Sequence, residues 1–258
     1  MMGALAGDII GSVYEHNQIK TKDFPLFSAG STFTDDSVLT AAIASAILSG
    51  RSYLQEVTSF GRRYPGAGYG RAFKTWLRSS NSAPYNSWGN GAAMRVRPIG
   101  FAFSNPDEVL LQARMSAEIT HNHPEGIKGA QATALAVYLA RTHHDKSRIK
   151  LEIAQRFGYD LDRTLDDIRP WYVFDSSCQG TVPEAIIAFL ESDSYEDAVR
   201  NAVSLGGDSD TLACIAGGIA DAFYGGVPSK IVQAVRQALT DDLWHITEAF
   251  STKHRSEQ

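Results

Sequence analysis

Two helix starts crowded with oxygen side chains restrict this chain more than any other feature. The first is Thr34-Asp35-Asp36-Ser37, followed by Val38, Leu39, Ile43, Ala46 and Ile47 at helical spacing. The second is Gly206-Gly207-Asp208-Ser209-Asp210-Thr211, followed by Leu212, Ile215, Ala216, Ile219, Ala220 and Phe223. Each apolar stripe predicts a buried helix face. The acids ahead of it therefore sit at a helix N-terminus, where free backbone N–H groups and the helix dipole favour the anionic form. Asp208 alone would be an ordinary N-cap, which needs a single short polar residue; the three further oxygen side chains of Ser209, Asp210 and Thr211 exceed that need. If the two starts met in space, four carboxylates would repel one another strongly unless cations lay between them. Oxygen donors without cysteine suit Mg²⁺, Mn²⁺ or Ca²⁺ rather than zinc.

The remaining pattern is helix after helix. Met1 to Tyr14 carries Leu5, Ile9, Ile10 and Val13 among Gly3, Ala4, Gly7, Gly11 and Ser12, so a second helix or a ligand can approach it closely. Asp8 then lies in a packed helix and needs a partner, because an isolated buried charge is costly; Glu15 ends the segment as a further candidate acid. His121-Asn122-His123-Pro124 opens a helix with an apolar stripe from Ile127 to Tyr138, and His143 and His144 near its end are expected at the surface. Lys146 to Asp167 is helical in pattern, as are Pro183 to Leu190, Tyr195 to Val203 behind a Ser192-Asp193-Ser194 cap cluster, and Ser229 to Thr240, after which a polar tail is expected. Trp171-Tyr172-Val173-Phe174 is the best extended stretch, and it is isolated. The expectation is an all-α chain, a compact multi-helix orthogonal bundle forming one domain over 1–258.

Several function classes are disfavoured. A formal charge of −5 gives no electrostatic footprint for direct nucleic-acid binding. Cys178 and Cys214 form neither a zinc spacing nor a disulfide framework, and a reducing cytoplasm is expected. No basic leader and no membrane-length apolar run are seen, so no membrane partner is expected, and a monomer is. Gly66-Ala67-Gly68-Tyr69-Gly70 has no strand before it and is not a dinucleotide loop. The polar loop His16 to Thr32, placed just before Thr34, has the position of a lid. Ser87-Trp88-Gly89-Asn90-Gly91 exposes backbone N–H groups ahead of an apparent helix and is either an anion cradle or a plain glycine turn, with Trp88 offering a flat face for a ring. On the plain-turn reading, Arg95 and Arg97 are structural or surface residues. His121 and His123 lack a third metal ligand at sensible spacing and are expected to cap their helix, one of them facing a pocket.

Taken in order, Gly7-Asp8-x-x-Gly11-Ser12 with Glu15, Thr34-Asp35-Asp36-Ser37, Gly89-Asn90-Gly91 with Met94-Arg95, and Gly206-Gly207-Asp208-Ser209-Asp210-Thr211 resemble the ADP-ribosylglycohydrolases of the dinitrogenase-reductase-activating type, over about residues 3 to 226. The resemblance implies an all-α fold with a central binuclear metal cleft holding two Mg²⁺ (Mn²⁺ in some cases), and hydrolysis of the glycosidic bond at the distal ribose of an ADP-ribosyl group. It further implies that Thr34, Asp35, Asp36, Asp208, Asp210 and Thr211 are metal ligands, with Asp210 bridging the ions. Glu15, Asp35 and Asp36 become the catalytic carboxylates, Ser87, Trp88, Gly89, Asn90 and Gly91 the loop holding phosphate and ribose, and His121 a substrate contact. The partner would be an ADP-ribosylated protein or small molecule. Some arginine-specific relatives carry an acid where this chain has Ser87, so O-linked or small-molecule substrates stay open. The alternatives are a non-catalytic ADP-ribose-binding or structural protein, or a hydrolase of another nucleoside or phosphoester.

Overall fold

The computed structural model describes residues 1–80, 82–143 and 145–255; His144 and the side chain of His143 lie outside the described residues. Among these residues there are fourteen α-helices and no strand. They are α1 (Met2–Gly11), α2 (Asp35–Ser49), α3 (Tyr53–Arg63), α4 (Arg71–Arg78), α5 (Arg97–Ala102), α6 (Pro106–Glu118), α7 (Pro124–His143), α8 (Lys146–Phe157), α9 (Leu165–Ile168), α10 (Cys178–Leu190), α11 (Tyr195–Val203), α12 (Ser209–Phe223), α13 (Ser229–Ala238) and α14 (Asp241–Arg255). The all-α expectation holds.

Helix α12 is the axis of the molecule. Fourteen of its residues, Ser209 to Ala222, are buried, and it packs on α1, α2, α5, α7, α10 and α11. Its tightest neighbour is α1, and the reason is legible in the small residues. A Cβ on Gly3 would fall 2.4 Å from Gly217 O, one on Gly7 2.0 Å from Ala213 O, and one on Gly11 2.4 Å from Ser209 O. Glycine every fourth residue thus lets the two backbones touch at Gly3, Gly7 and Gly11, over about two turns of α1, burying Leu5, Ile9 and Ile10 on its other faces. The far end of α12 is fixed by charge: Arg97 on α5 donates to Asp221 at 2.8 Å, with both side chains buried. Arg97 is therefore structural rather than a surface residue, and Arg95, fully buried, is not at the surface either.

Four expectations need correction. The segment after Thr240 is not a polar tail but α14, which buries Leu243 and Phe250 and packs on α2. Lys146 to Asp167 is two helices, because Gly158 at φ +68 ends α8 in a left-handed turn. Trp171 to Phe174 forms no strand; it is an exposed connection with Trp171 84% accessible. The helix expected after Gly91 is only a 3-10 turn, Asn90–Ala92, with α5 starting at Arg97. The loop 16–32 is pinned at several points: the Lys20 ammonium donates to the carbonyls of Tyr172 and Leu205, Lys22 pairs with Asp197, and Arg200 donates to the carbonyls of Lys22 and Phe24.

Candidate metal centre and active site

The two acid-crowded helix starts do meet, and α1 holds them together. Asp8 is fully buried on α1 and accepts four hydrogen bonds from the start of α2: the Thr34 N–H at 3.0 Å, the Thr34 hydroxyl at 2.7 Å, the Ser37 N–H at 3.0 Å and the Ser37 hydroxyl. Those donors are the partner that a buried Asp8 requires. One turn later Gly11 lies against the backbone of Ser209 and Asp210 at the start of α12. The same helix thus grips the first residues of α2 through a carboxylate and those of α12 through a missing side chain.

The helix caps differ in an informative way. Thr34 caps α2, its side chain accepting from the Asp36 N–H. Asp208 occupies the N-cap position of α12 but makes no capping bond; its Oδ2 instead accepts from Asn90 Nδ2 at 2.8 Å, and Asn90 also donates to Thr181 Oγ1 at 3.1 Å. Asp208 is therefore turned toward the cleft. The Thr211 hydroxyl donates to Asp36 Oδ2 at 3.3 Å, linking the two helix starts directly.

Carboxylate oxygens of Asp8, Asp36 and Asp210 lie within 4.8 Å of one another, as do those of Glu15, Asp208 and Asp210. Asp210 belongs to both groups. Asp35 belongs to neither but lines the same cleft, its Oδ1 lying 3.3 Å from where a Gly68 Cβ would be. Such crowding is costly for anions. Burial, followed by the charges of Asp8, Asp35 and Asp208, pushes Asp36 well above the ordinary carboxylate range. Burial and then Asp36 and Asp208 do the same to Asp210, and burial and then Asp8 carry Asp35 up to about 8. Asp8 is raised by burial against the lowering effect of its hydrogen bonds to Ser37 and Thr34. Glu15, half-buried, is raised by desolvation and then by Asp208. Asp36 Oδ1 is buried without a hydrogen-bond partner. An orphaned carboxylate oxygen among clustered acids and threonine hydroxyls fits a hard divalent cation, which would supply the missing partner and offset the repulsion.

The acids form one wall of a cleft of about 390 Å³, a volume suited to a small-molecule ligand. Glu15, Thr34, Asp35, Asp36, Ser87, Gly89, Asn90, Gly91, His121, Asp208, Asp210 and Thr211 all line it. Trp88 does not; it stands half exposed on the rim with its ring edge-on to His123, 5.5 Å between centroids. The glycine loop is held against the connection before α10, with Asn90 N–H donating to Ser176 O and Cys178 N–H to Trp88 O, while Gly89 N–H donates to Ser87 Oγ. Two of the amides expected to face an anion are thus engaged within the protein. His121 faces the cleft, whereas His123 Nδ1 accepts from Glu125 N–H at the start of α7. Sequence reasoning did not pick out Arg95, Tyr85, Phe174 or Gly68 as lining the cleft. The sequence marks Asp8 as a buried acid in need of a partner and as part of the Gly7-Asp8-x-x-Gly11-Ser12 motif, but not as a member of the acid cluster; its isolation in an apolar, glycine-spaced helix is the available signal for that.

The family model for ADP-ribosylglycohydrolase matches residues 1–258. The chain belongs to the ADP-ribosylglycohydrolase family. Among its relatives, the ADP-ribosylhydrolase ARH3 of Bos taurus is 29% identical, the match covering 87% of this chain and 84% of that protein. The ADP-ribosylarginine hydrolase Tri1 of Pseudomonas putida is 25% identical over 91% of this chain and 72% of its own length. A solved structure described as an ADP-ribosylglycohydrolase-related protein complex superposes with a TM-score of 0.72 at 24% identity, covering 97% of this chain and 95% of that one, a likeness of fold. This ADP-ribosylglycohydrolase is an enzyme by family, and its buried acid cluster lies where the two most oxygen-rich motifs of the sequence converge.

Proposed function

We propose that this enzyme hydrolyses the bond between the distal ribose of ADP-ribose and a modified protein side chain or small acceptor, releasing ADP-ribose, with two divalent cations (Mg²⁺, or Mn²⁺ in its place) held by Thr34, Asp35, Asp36, Asp208, Asp210 and Thr211. The observation that carries the proposal is the convergence of the α2 and α12 starts into two carboxylate groups sharing Asp210. On this reading Asp210, which belongs to both groups, would help hold both ions, and Asp8 serves behind Thr34: by accepting the Thr34 proton at 2.7 Å it leaves the hydroxyl lone pair not taken by the Asp36 N–H available to a cation.

When bound, the cations would supply orientation and polarisation of the ribose hydroxyls. The protein supplies the rest. As the bond from the anomeric carbon to the acceptor nitrogen or oxygen breaks, the bonding electron pair leaves with the acceptor, which takes up a proton from solvent, while positive charge grows on the ribose and a wall of carboxylates stabilises it. The oxygen of a water molecule then bonds to the anomeric carbon and gives its proton to a carboxylate. Of the three catalytic candidates, Glu15 and Asp35 are partly exposed and Asp36 is buried; incoming water meets Glu15 or Asp35. Asn90, by holding Asp208 Oδ2, orients a ligand from the glycine-loop side. Ser87, Gly89, Gly91 and His121 form the side of the cleft where the diphosphate and adenosine would lie, with Trp88 at its rim. Two buried, unpaired cysteines suit a reducing compartment, and among the described residues no helix is long and apolar enough to cross a membrane; a monomer in the cytoplasm completes the proposal.

The test is release of free ADP-ribose from arginine-, serine- and nucleic-acid-linked ADP-ribosyl substrates by the wild type and by an Asp208→Ala, Asp210→Ala double variant. The proposal expects release from at least one linkage, lost in the double variant. Full activity of that variant would sink it. Saturable ADP-ribose binding with no release from any linkage would favour the non-catalytic reading.

A further inference from the structure

Behind the glycine loop lies a buried chain of polar groups that the proposed chemistry does not use. Arg95 is fully buried and lines the floor of the cleft, yet no carboxylate among the described residues pairs with it. Its Nη2 donates to Ser116 O at 2.6 Å and to Thr120 Oγ1 at 3.0 Å, while Nε and Nη1 are buried without partners. Thr120 is fully buried too, and its Oγ1 lies 2.7 Å from His121 Nδ1. The other ring nitrogen of His121, Nε2, takes no partner among the described residues and faces the loop, 3.3 Å from where a Gly91 Cβ would be and 3.5 Å from a Gly89 Cβ.

Proton counting decides the direction of this chain. A guanidinium can only donate, so Thr120 Oγ1 accepts from Arg95. The Thr120 hydroxyl proton then needs an acceptor, and His121 Nδ1 is the one within reach. If Nδ1 carried the proton instead, Thr120 would accept twice and its own O–H would be buried unsatisfied, an arrangement that folded proteins avoid. Donation from Arg95 also polarises the Thr120 hydroxyl and makes it the better donor. We infer that Arg95 and Thr120 are positioning residues that lock His121 in its Nε2–H tautomer, so that it presents a neutral N–H donor to an oxygen of the ligand above Gly89–Gly91. Burial and then the nearby Arg95 charge hold the ring well below its ordinary pKa, consistent with a neutral donor. The buried guanidinium adds positive potential beside His121. Taking that oxygen to be a phosphate oxygen of ADP-ribose rests on the function proposed above; the tautomer lock does not.

The test is two-dimensional NMR of protein carrying ¹⁵N-labelled histidine at neutral pH, with the His121 signals assigned by their loss in His121→Gln. The expected wild-type spectrum shows an unprotonated Nδ1 and a protonated Nε2. Thr120→Val disturbs that pattern and lowers ADP-ribose affinity by about tenfold, the scale of one hydrogen bond to a charged ligand. Thr120→Ser, which keeps the hydroxyl, restores both. A protonated Nδ1 in the wild type, or an unchanged His121 spectrum in a folded Thr120→Val protein, overturns the inference. If the lock is found but ADP-ribose leaves the Nε2 signal unmoved, the inference stands and the reading of this cleft wall as the ADP-ribose site fails.

Discussion

Alanine at Gly11 separates the geometry of the acid cluster from the stability of the helix that carries it. In an exposed helix, exchanging glycine for alanine stabilises by about 0.5–1 kcal/mol. At Gly11 the new Cβ would lie 2.4 Å from Ser209 O, 2.5 Å from Asp210 Cα and 2.6 Å from Asp210 N, against about 3.5 Å for ordinary contact. All three are backbone atoms, so no rotamer change relieves them, and α1 and α12 must part by roughly 1 Å. Since α1 also holds Thr34 and Ser37 through Asp8, that movement draws Asp210 away from Asp36. Overpacking is expected to cost about 1–3 kcal/mol. The larger effect falls on the site: disturbed outer support lowers metal affinity by about 10- to 100-fold, and a 1 Å misplacement lowers turnover by about 100-fold. Calorimetric titration with Mn²⁺, paired with urea unfolding, reads both. Gly100→Ala is the control, because its Cβ would press on Ala134 O, 2.3 Å away between α5 and α7, with no acid of the cluster in contact. It should lose stability and keep metal affinity. Wild-type metal affinity in Gly11→Ala, or equal losses in the two variants, would refute the reasoning.

Two further outcomes follow from the charges. Asp221→Asn leaves the buried Arg97 guanidinium without its carboxylate and should cost about 3–5 kcal/mol in urea unfolding at neutral pH; a loss under about 1 kcal/mol would show the pair to be dispensable. Burial would raise Asp221, but the Met1 amino group and Arg97 outweigh it and hold the carboxyl at about 2, so its stabilisation is complete above the ordinary carboxylate range and fades as pH falls toward 2. The acid cluster has the opposite sign. Asp8, Asp35, Asp36 and Asp210 are raised in the folded chain, so without cations the folded state holds more protons than the unfolded one. Its stability therefore declines as pH climbs from about 4 to about 8. Melting in the presence of chelator should show Tm falling over that window, with Mg²⁺ restoring it at the alkaline end; a chelated protein that gains stability with pH there would contradict the assigned crowding.

Much of this arrangement is legible in the sequence. The starts of α2 and α12 announced themselves because acids precede a 3.6-residue apolar period, and the Gly3-Gly7-Gly11 spacing announced a close helix contact whose partner only the fold could name. α11 was readable to the residue because Ser194 caps it and its apolar stripe is clean. The misreadings have physical causes. In α14 Asp241, Asp242, Lys253 and Arg255 outnumber the two buried apolar anchors, Leu243 and Phe250, so a half-buried helix reads as a tail. Trp171 to Phe174 has strand-like residues but no neighbouring strand among the described residues, and β propensity without a pairing partner carries no structure. The membership of Asp8 in the acid cluster depends on which way one residue of a packed helix faces, and the Arg95–Thr120–His121 chain joins parts of the sequence that periodicity does not connect. Long-range side-chain convergence is where pattern reading ends.

The central claim is that cations held between the α2 and α12 starts are needed to cleave an ADP-ribosyl bond. Its most direct test is the rate of ADP-ribose release from the best-cleaved of the arginine-, serine- and nucleic-acid-linked substrates, measured with Mg²⁺, after chelation, and after Mg²⁺ is returned in excess. The account predicts release that stops on chelation and resumes with the metal. Release that continues undiminished in metal-stripped protein would contradict it.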